Sequence, residues 1–174
     1  MCIQVKDVFL LYDTCCMYEI VLLNYFMQYT KADVLLVSIT GKPILTMEGY
    51  KIVVDDTIDA IDITNTRSFI IAGGNVNNVN TEKVKKLIKD IKKRDILIGG
   101  ICAGVDLLDD AGILSDLEST HSKDVDIIND NKVVTARANA YVDFAIEIAK
   151  ELKMFKDEKD LQETIDFFKY HKSM

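Results

Sequence analysis

The residue whose surroundings most suggest chemistry is Cys102, in the run Ile98-Gly99-Gly100-Ile101-Cys102-Ala103-Gly104-Val105. An apolar strand-like segment enters a G-x-C-x-G turn and a helical pattern leaves it. This is the nucleophile-elbow arrangement with cysteine in place of serine. A turn this sharp brings neighbouring backbone into contact, so Gly100 and Gly104 are read as positions without room for a Cβ atom. A thiol there sits at a helix N-terminus, where the dipole and unpaired N–H groups favour thiolate. The N–H of Ala103 is placed to meet an oxyanion formed by attack at Cys102. Buried cysteine is common as a small hydrophobe, but paired glycines between strand and helix favour a functional thiol.

Other residues could join it. Ile70-Ile71-Ala72-Gly73-Gly74 is a second strand running into a glycine turn, and the Gly74 N–H is a candidate second oxyanion donor or part of a plain tight turn. His121, 19 residues after Cys102, reads alone as a surface histidine and, beside a nucleophile, as a proton-transfer partner. His171 lies in a polar tail. Glu19, between apolar Tyr18 and Ile20, is either an ordinary first-turn carboxylate or an acid hydrogen-bonded to the Cys102 sulfur. Cys15 and Cys16 share the preceding loop as passive thiols, or one of them resolves an oxidised Cys102.

The elements that must position these groups alternate. Strands are expected at Val8–Tyr12, Ala32–Ile39, Arg67–Ala72 and Asp95–Ile101, each a short, nearly continuous apolar run. Helices are expected at Tyr18–Tyr29, from the Thr81 cap to Lys93, after Cys102 through Asp109, at Tyr141–Leu152 and at Leu161–Tyr170. Pro43–Thr46 and Tyr50–Val54 suggest a hairpin around Glu48-Gly49, and Leu117–Thr135 reads as short strands and loops with a turn at Asn129-Asp130-Asn131. Continuous apolar strands alternating with helices predict an α/β, doubly wound, mostly parallel sheet with helices on both faces. The 174 residues make a single domain without repeats.

Composition narrows the function classes. A net charge of −7 argues against nucleic acid as a partner, because phosphate contacts need clustered cations. The basic stretch from Lys83 to Arg94 is interleaved with Leu87, Ile88 and Ile91 and reads as the wet face of a helix. No run approaches the roughly 18 apolar residues of a membrane span. Asp7 and Asp13 bracket the first apolar run, so no signal peptide is expected. The 4 cysteines show neither zinc spacing nor a disulfide framework, and a cytoplasmic location is expected.

The chain resembles the ThiJ/PfpI family of the flavodoxin-like, class I glutamine-amidotransferase-like fold. The likeness runs from Val8 to about Leu152 and is carried by Glu19, Ile70–Asn75, Ile101-Cys102-Ala103-Gly104, Ala111-Gly112-Ile113-Leu114, Thr120-His121, Val134-Thr135-Ala136-Arg137 and Phe144-Ala145. It implies Cys102 as the reactive cysteine, Glu19 as the acid that hydrogen-bonds it and lowers its pKa, His121 as the nearby histidine, and Gly74 and Ala103 as oxyanion donors. Ala72 replaces the family's proline, and Ala138-Asn139 stand where many members have a small-residue loop that walls the pocket.

Members of the family include metal-free glyoxalases, disputed deglycases, amidases or peptidases, isonitrile hydratases, chaperones and redox sensors. Glu19 and Ala103 disfavour the hydratases, which tend to carry Asp and Thr there. A glutamine amidotransferase would need a late His-x-Glu pair, which His171 does not supply before Met174. The resemblance therefore implies an enzyme acting through Cys102 on a small electrophile such as a 2-oxoaldehyde, without metal or organic cofactor, in stress protection. A cysteine hydrolase, or a redox sensor or chaperone working through oxidation of Cys102, remains open. It also implies a homodimer, and the Tyr18–Tyr29 helix, apolar on more than one face, either offers a surface for one or lies in a deep core.

Overall fold

The computed structural model describes residues 5–173. Strands β1 (Lys6–Leu10), β2 (Asp33–Ser38), β5 (Asp56–Thr57), β6 (Thr66–Ile71), β7 (Leu97–Ile101), β8 (Ile127–Asp130) and β9 (Val133–Ala136) form one sheet. The short β3 (Ile44–Leu45) and β4 (Lys51–Ile52) form a separate antiparallel hairpin. Helices are α1 (Tyr18–Tyr29), α2 (Glu82–Lys93), α3 (Ala103–Asp110), α4 (Tyr141–Glu151) and α5 (Glu158–Phe168).

The sheet order is β5-β2-β1-β6-β7-β9-β8, parallel except for β8 against β9. Its five principal parallel strands, taken in chain order, lie 2-1-3-4-5, the flavodoxin-like arrangement. β1 leads to β2 on one side, and the chain then crosses to β6 on the other. The crevice beyond the carboxyl ends of β1 and β6 is therefore the switch point where such sheets bind ligands. The loop carrying Cys15, Cys16 and Glu19 follows β1, Gly73-Gly74 follows β6, and Cys102 follows β7.

Two adjacent glycines in β7 reveal the layers. A Cβ on Gly99 would lie 2.6 Å from Ile148 Cδ1 of α4, whereas one on Gly100 would lie 2.6 Å from Leu108 Cδ1 of α3. Successive strand residues face opposite sides, so α4 covers one face and α3 the other. α1 packs beside α4, and α2 beside α3. Buried Val8, Phe9, Leu10, Phe69, Ile70, Ile71 and Ile98 show why these strands read as continuous apolar runs.

Several expectations shift. The hairpin turn is at Asn131-Lys132, both with positive φ and bracketed by the Asp130–Val133 pair, rather than centred on Asp130. Residues 117–126 form turns, and only Ile127–Asp130 and Val133–Ala136 are strands. α5 begins at Glu158, three residues before the expected Leu161, because the Asp157 carboxylate caps the Asp160 N–H at 2.9 Å. Thr81 caps α2 through the Val84 N–H as read from the sequence.

Candidate active site

Cys102 has φ 55° and ψ −127°, a conformation that side-chain-bearing residues rarely adopt. What holds it there is contact on every side. Its N–H donates to the Ala136 carbonyl at 2.9 Å, tying the elbow to β9. A Cβ on Gly104 would meet the Ile71 carbonyl oxygen at 2.5 Å, and one on Gly100 would meet Gly104 backbone at 3.3 Å. The glycines that mark the motif are thus required where α3 crosses the ends of β6 and β7.

Gly73 is the pivot between the cysteine and the acid. A Cβ added there would lie 2.6 Å from Cys102 Cβ, 3.0 Å from its Sγ and 2.7 Å from Glu19 Oε2. The Gly73 N–H donates to Glu19 Oε2 at 2.6 Å, and the Gly73 carbonyl accepts from the Cys16 N–H at 2.9 Å. Gly74, at φ 132°, presses on the loop after β1, where a Cβ would meet the Thr14 carbonyl oxygen at 2.2 Å. Tyr12, at the end of the β1 segment, donates its buried hydroxyl to the Ala72 carbonyl at 2.8 Å and fixes the approach to this turn. Burial, joined by the charges of its neighbours, pushes the Tyr12 phenol far above its ordinary range, so it remains a donor.

Glu19 is only 2% exposed, and its Oε1 has no hydrogen-bond partner. Burial raises its carboxyl pKa, against the opposing effects of the Gly73 N–H and the Cys102 thiol. Contrary to the lowered thiol expected from the sequence, burial raises Cys102 and the nearby Glu19 charge adds to it, while only the Ala103 N–H works in the expected direction. The two groups resist being anionic together in this dry crevice. Cys102 is half-buried, whereas Cys15 is fully buried. Burial pushes Cys15 and Cys16 up to about 11. Cys2 lies outside the described residues.

His121 stands close to the elbow helix, but it faces carboxylates. Its Nε2 is 2.9 Å from Asp106 Oδ1 and its Nδ1 is 3.6 Å from Asp109 Oδ2. Among the described residues, no hydrogen bond joins its imidazole to the Cys102 sulfur. Sequence reading gave Asp106 and Asp109 no functional role. The available signal was their spacing, four and seven residues after Cys102, which places them on successive turns of one helix face. Glu48 was noted only as a turn residue. It reaches the start of α1, where Oε1 accepts the Tyr18 N–H at 3.0 Å. Although burial opposes it, this and neighbouring backbone N–H groups hold Glu48 below the usual carboxylate range.

Residues 5–151 match the model of the DJ-1/PfpI family. The chain belongs to the DJ-1/PfpI family. Its fold matches a DJ-1 superfamily protein of Agrobacterium tumefaciens at TM-score 0.85 and 26% identity, covering 97% of this chain and 100% of that one. Oxidized Toxoplasma gondii DJ-1 matches at TM-score 0.79 and 17% identity, over 92% of this chain and 96% of that one. Drosophila melanogaster DJ-1beta matches at TM-score 0.78 and 17% identity, over 94% and 96%. No curated protein matches the chain by sequence. Family membership agrees with the sequence resemblance and with the flavodoxin-like, class I glutamine-amidotransferase-like fold.

Proposed function

We propose that this DJ-1/PfpI-family chain is a cofactor-independent, cysteine-dependent enzyme that converts small 2-oxoaldehydes, methylglyoxal among them, to hydroxy acids. The observation that carries the reading is the strained Cys102 elbow flanking Gly73 together with a buried acid whose Oε1 lacks a partner. A carboxylate oxygen left unpaired in a dry site is costly, whereas a protonated one can donate to the sulfur. The proton on Glu19 thereby stabilises the Cys102 thiolate.

In this reading the Cys102 sulfur attacks the aldehyde carbon, forming a C–S bond and a hemithioacetal oxygen close to the Ala103 and Gly74 N–H groups. A base removes the proton from that carbon, and the neighbouring ketone carbon receives one, leaving a hydroxyacyl thioester. Water attacks the thioester carbon, the C–S bond breaks, and the hydroxy acid leaves with Cys102 restored. Glu19 is the proton carrier beside the sulfur. His121, paired with Asp106 and Asp109, is the second proton-transfer candidate in this reading. A hydrolase needs a base on the thiol itself, and the pairing of His121 with two aspartates gives that alternative less support. A redox-sensing role would use the same Glu19 hydrogen bond to hold an oxidised sulfur.

Lactate formation from methylglyoxal by the purified protein, compared with Cys102→Ser, tests the proposal. Turnover that disappears in the variant supports it, and no turnover above buffer in either sample rejects it.

We also propose a homodimer, with a second copy covering the groove lined by Tyr18, Val21, Tyr25, Tyr50, Tyr141 and Phe167. These side chains are between 37% and 63% exposed and form one apolar groove beside the start of α1. Sedimentation equilibrium giving twice the chain mass of 19.6 kDa supports this, and the single mass at micromolar concentration rejects it. No helix among the described residues is long and apolar enough to cross a membrane.

A further inference from the structure

We propose that the Cys102 crevice selects uncharged electrophiles and excludes carboxylate-bearing ones, with Glu48, Asp106 and Asp109 as the selecting residues. The inference deepens the proposed function and rests on Cys102 being the attacking thiol.

The charges around the crevice are the first support. Glu48 takes the Tyr18 N–H at the start of α1, so the N-terminus that would otherwise receive an anion already holds one. Asp106 and Asp109 lie on α3, four and seven residues beyond Cys102, and both remain more than half exposed. His121 lies between them and, even when protonated, offsets one of their two charges. The nearest arginine by backbone is Arg137, next to the Ala136 carbonyl that holds the Cys102 N–H. Its guanidinium is committed elsewhere, 2.5 Å from Asp124 and 3.6 Å from Asp126. A bound carboxylate would find no uncommitted cation among these residues.

The second support comes from the floor of the crevice. Glu19 is almost fully buried, its Oε1 is unpartnered, and its Oε2 flanks Gly73 together with the Cys102 sulfur. A neutral carbonyl or hydroxyl can approach a protonated acid and share its hydrogen bond. A carboxylate would bring a second anion against the thiolate in a place that water leaves poorly solvated. The same electrostatics also raise the Cys102 thiol through the Asp106 charge. The substrate class is therefore small aldehydes and ketoaldehydes without an acid group, rather than 2-oxo acids.

Two alkylating reagents of nearly equal size provide the test. Iodoacetamide is neutral and iodoacetate is anionic; with either, the Cys102 sulfur forms a C–S bond as iodide departs with the C–I electron pair. The rate ratio at Cys102, followed by peptide mapping, is normalised to the ratio for 2-mercaptoethanol in the same buffer. For two negative charges at a nominal separation of about 8 Å in a water-like medium, Coulomb repulsion gives about fivefold discrimination against iodoacetate. That preference should collapse toward unity at 1 M salt, where the screening length is about 3 Å. It should also fall in Asp106→Asn and in Glu48→Gln. A normalised ratio near one at low salt overturns the inference. So does a preference that survives both high salt and the substitutions, which would assign it to shape. If neither reagent modifies Cys102, the proposed function fails first and the selectivity with it.

Discussion

Replacing Glu19 separates a protonated hydrogen-bond donor from an ionised bystander, because the two states predict opposite shifts of the Cys102 thiol. If Glu19 carries its proton while Cys102 ionises, Glu19→Leu deletes a hydrogen bond to a charged sulfur. Such a bond contributes about 1.5–3 kcal/mol, which raises the apparent thiol pKa by about one to two units. Glu19→Gln retains an N–H₂ donor and an acceptor for the Gly73 N–H, so its shift should be about half as large or less. If Glu19 is instead ionised, Glu19→Leu removes a neighbouring negative charge, and the thiol pKa falls. The assay is thiolate absorbance or alkylation rate against pH, which reports the apparent constants of the coupled pair. A lower thiol pKa in Glu19→Leu would refute the protonated-acid reasoning. An unchanged titration would remove Glu19 from the site.

Three further outcomes follow from the geometry. Gly73→Ala should keep the fold but lose at least about tenfold in turnover, because its methyl would lie 2.6 Å from the anchored Cys102 Cβ and displace the thiol; circular dichroism and methylglyoxal kinetics check this together. Asp7 is fully buried, accepts from Ser68 Oγ at 2.7 Å and Arg67 Nε at 3.0 Å, and pairs with Arg67 across β1 and β6. Arg67→Ala should therefore destabilise the chain by about 3–5 kcal/mol in urea unfolding. The raised Glu19 pKa means that the folded state holds this proton more tightly than the unfolded chain. Its stabilisation is full below the ordinary carboxylate value of 4.5 and is lost as pH rises through the elevated folded value. The difference in unfolding free energy between wild type and Glu19→Gln should then move against wild type from acid toward neutral pH, and a pH-independent difference would contradict the shift.

Much of the fold was legible because burial on both faces writes each central strand as an unbroken apolar run, as in Phe69-Ile70-Ile71 and Leu97-Ile98. The elbow was legible because steric exclusion at Gly100 and Gly104 can be satisfied by only one residue type. Lys132 was not legible as a turn residue, since its positive φ is imposed by the β8–β9 hairpin and not preferred by lysine. β5 escaped notice because two residues, Asp56 and Thr57, carry no periodicity. The Asp157 cap was present in the sequence but was hidden within the polar residues that precede the expected Leu161 start. The position of Glu19 against the Gly73 N–H, and the capture of His121 by Asp106 and Asp109, depend on how separate elements dock. No spacing within a single segment records either contact.

The most direct test of Cys102 as the reactive centre is peptide-resolved labelling with limiting iodoacetamide, with and without methylglyoxal. Burial raises all three thiols, Cys15 and Cys16 to about 11, but a proton on Glu19 stabilises only the Cys102 thiolate, so Cys102 should be modified ahead of them and methylglyoxal should slow its labelling. Preferential labelling of Cys15 or Cys16, or a Cys102 rate indifferent to methylglyoxal, would contradict the assignment.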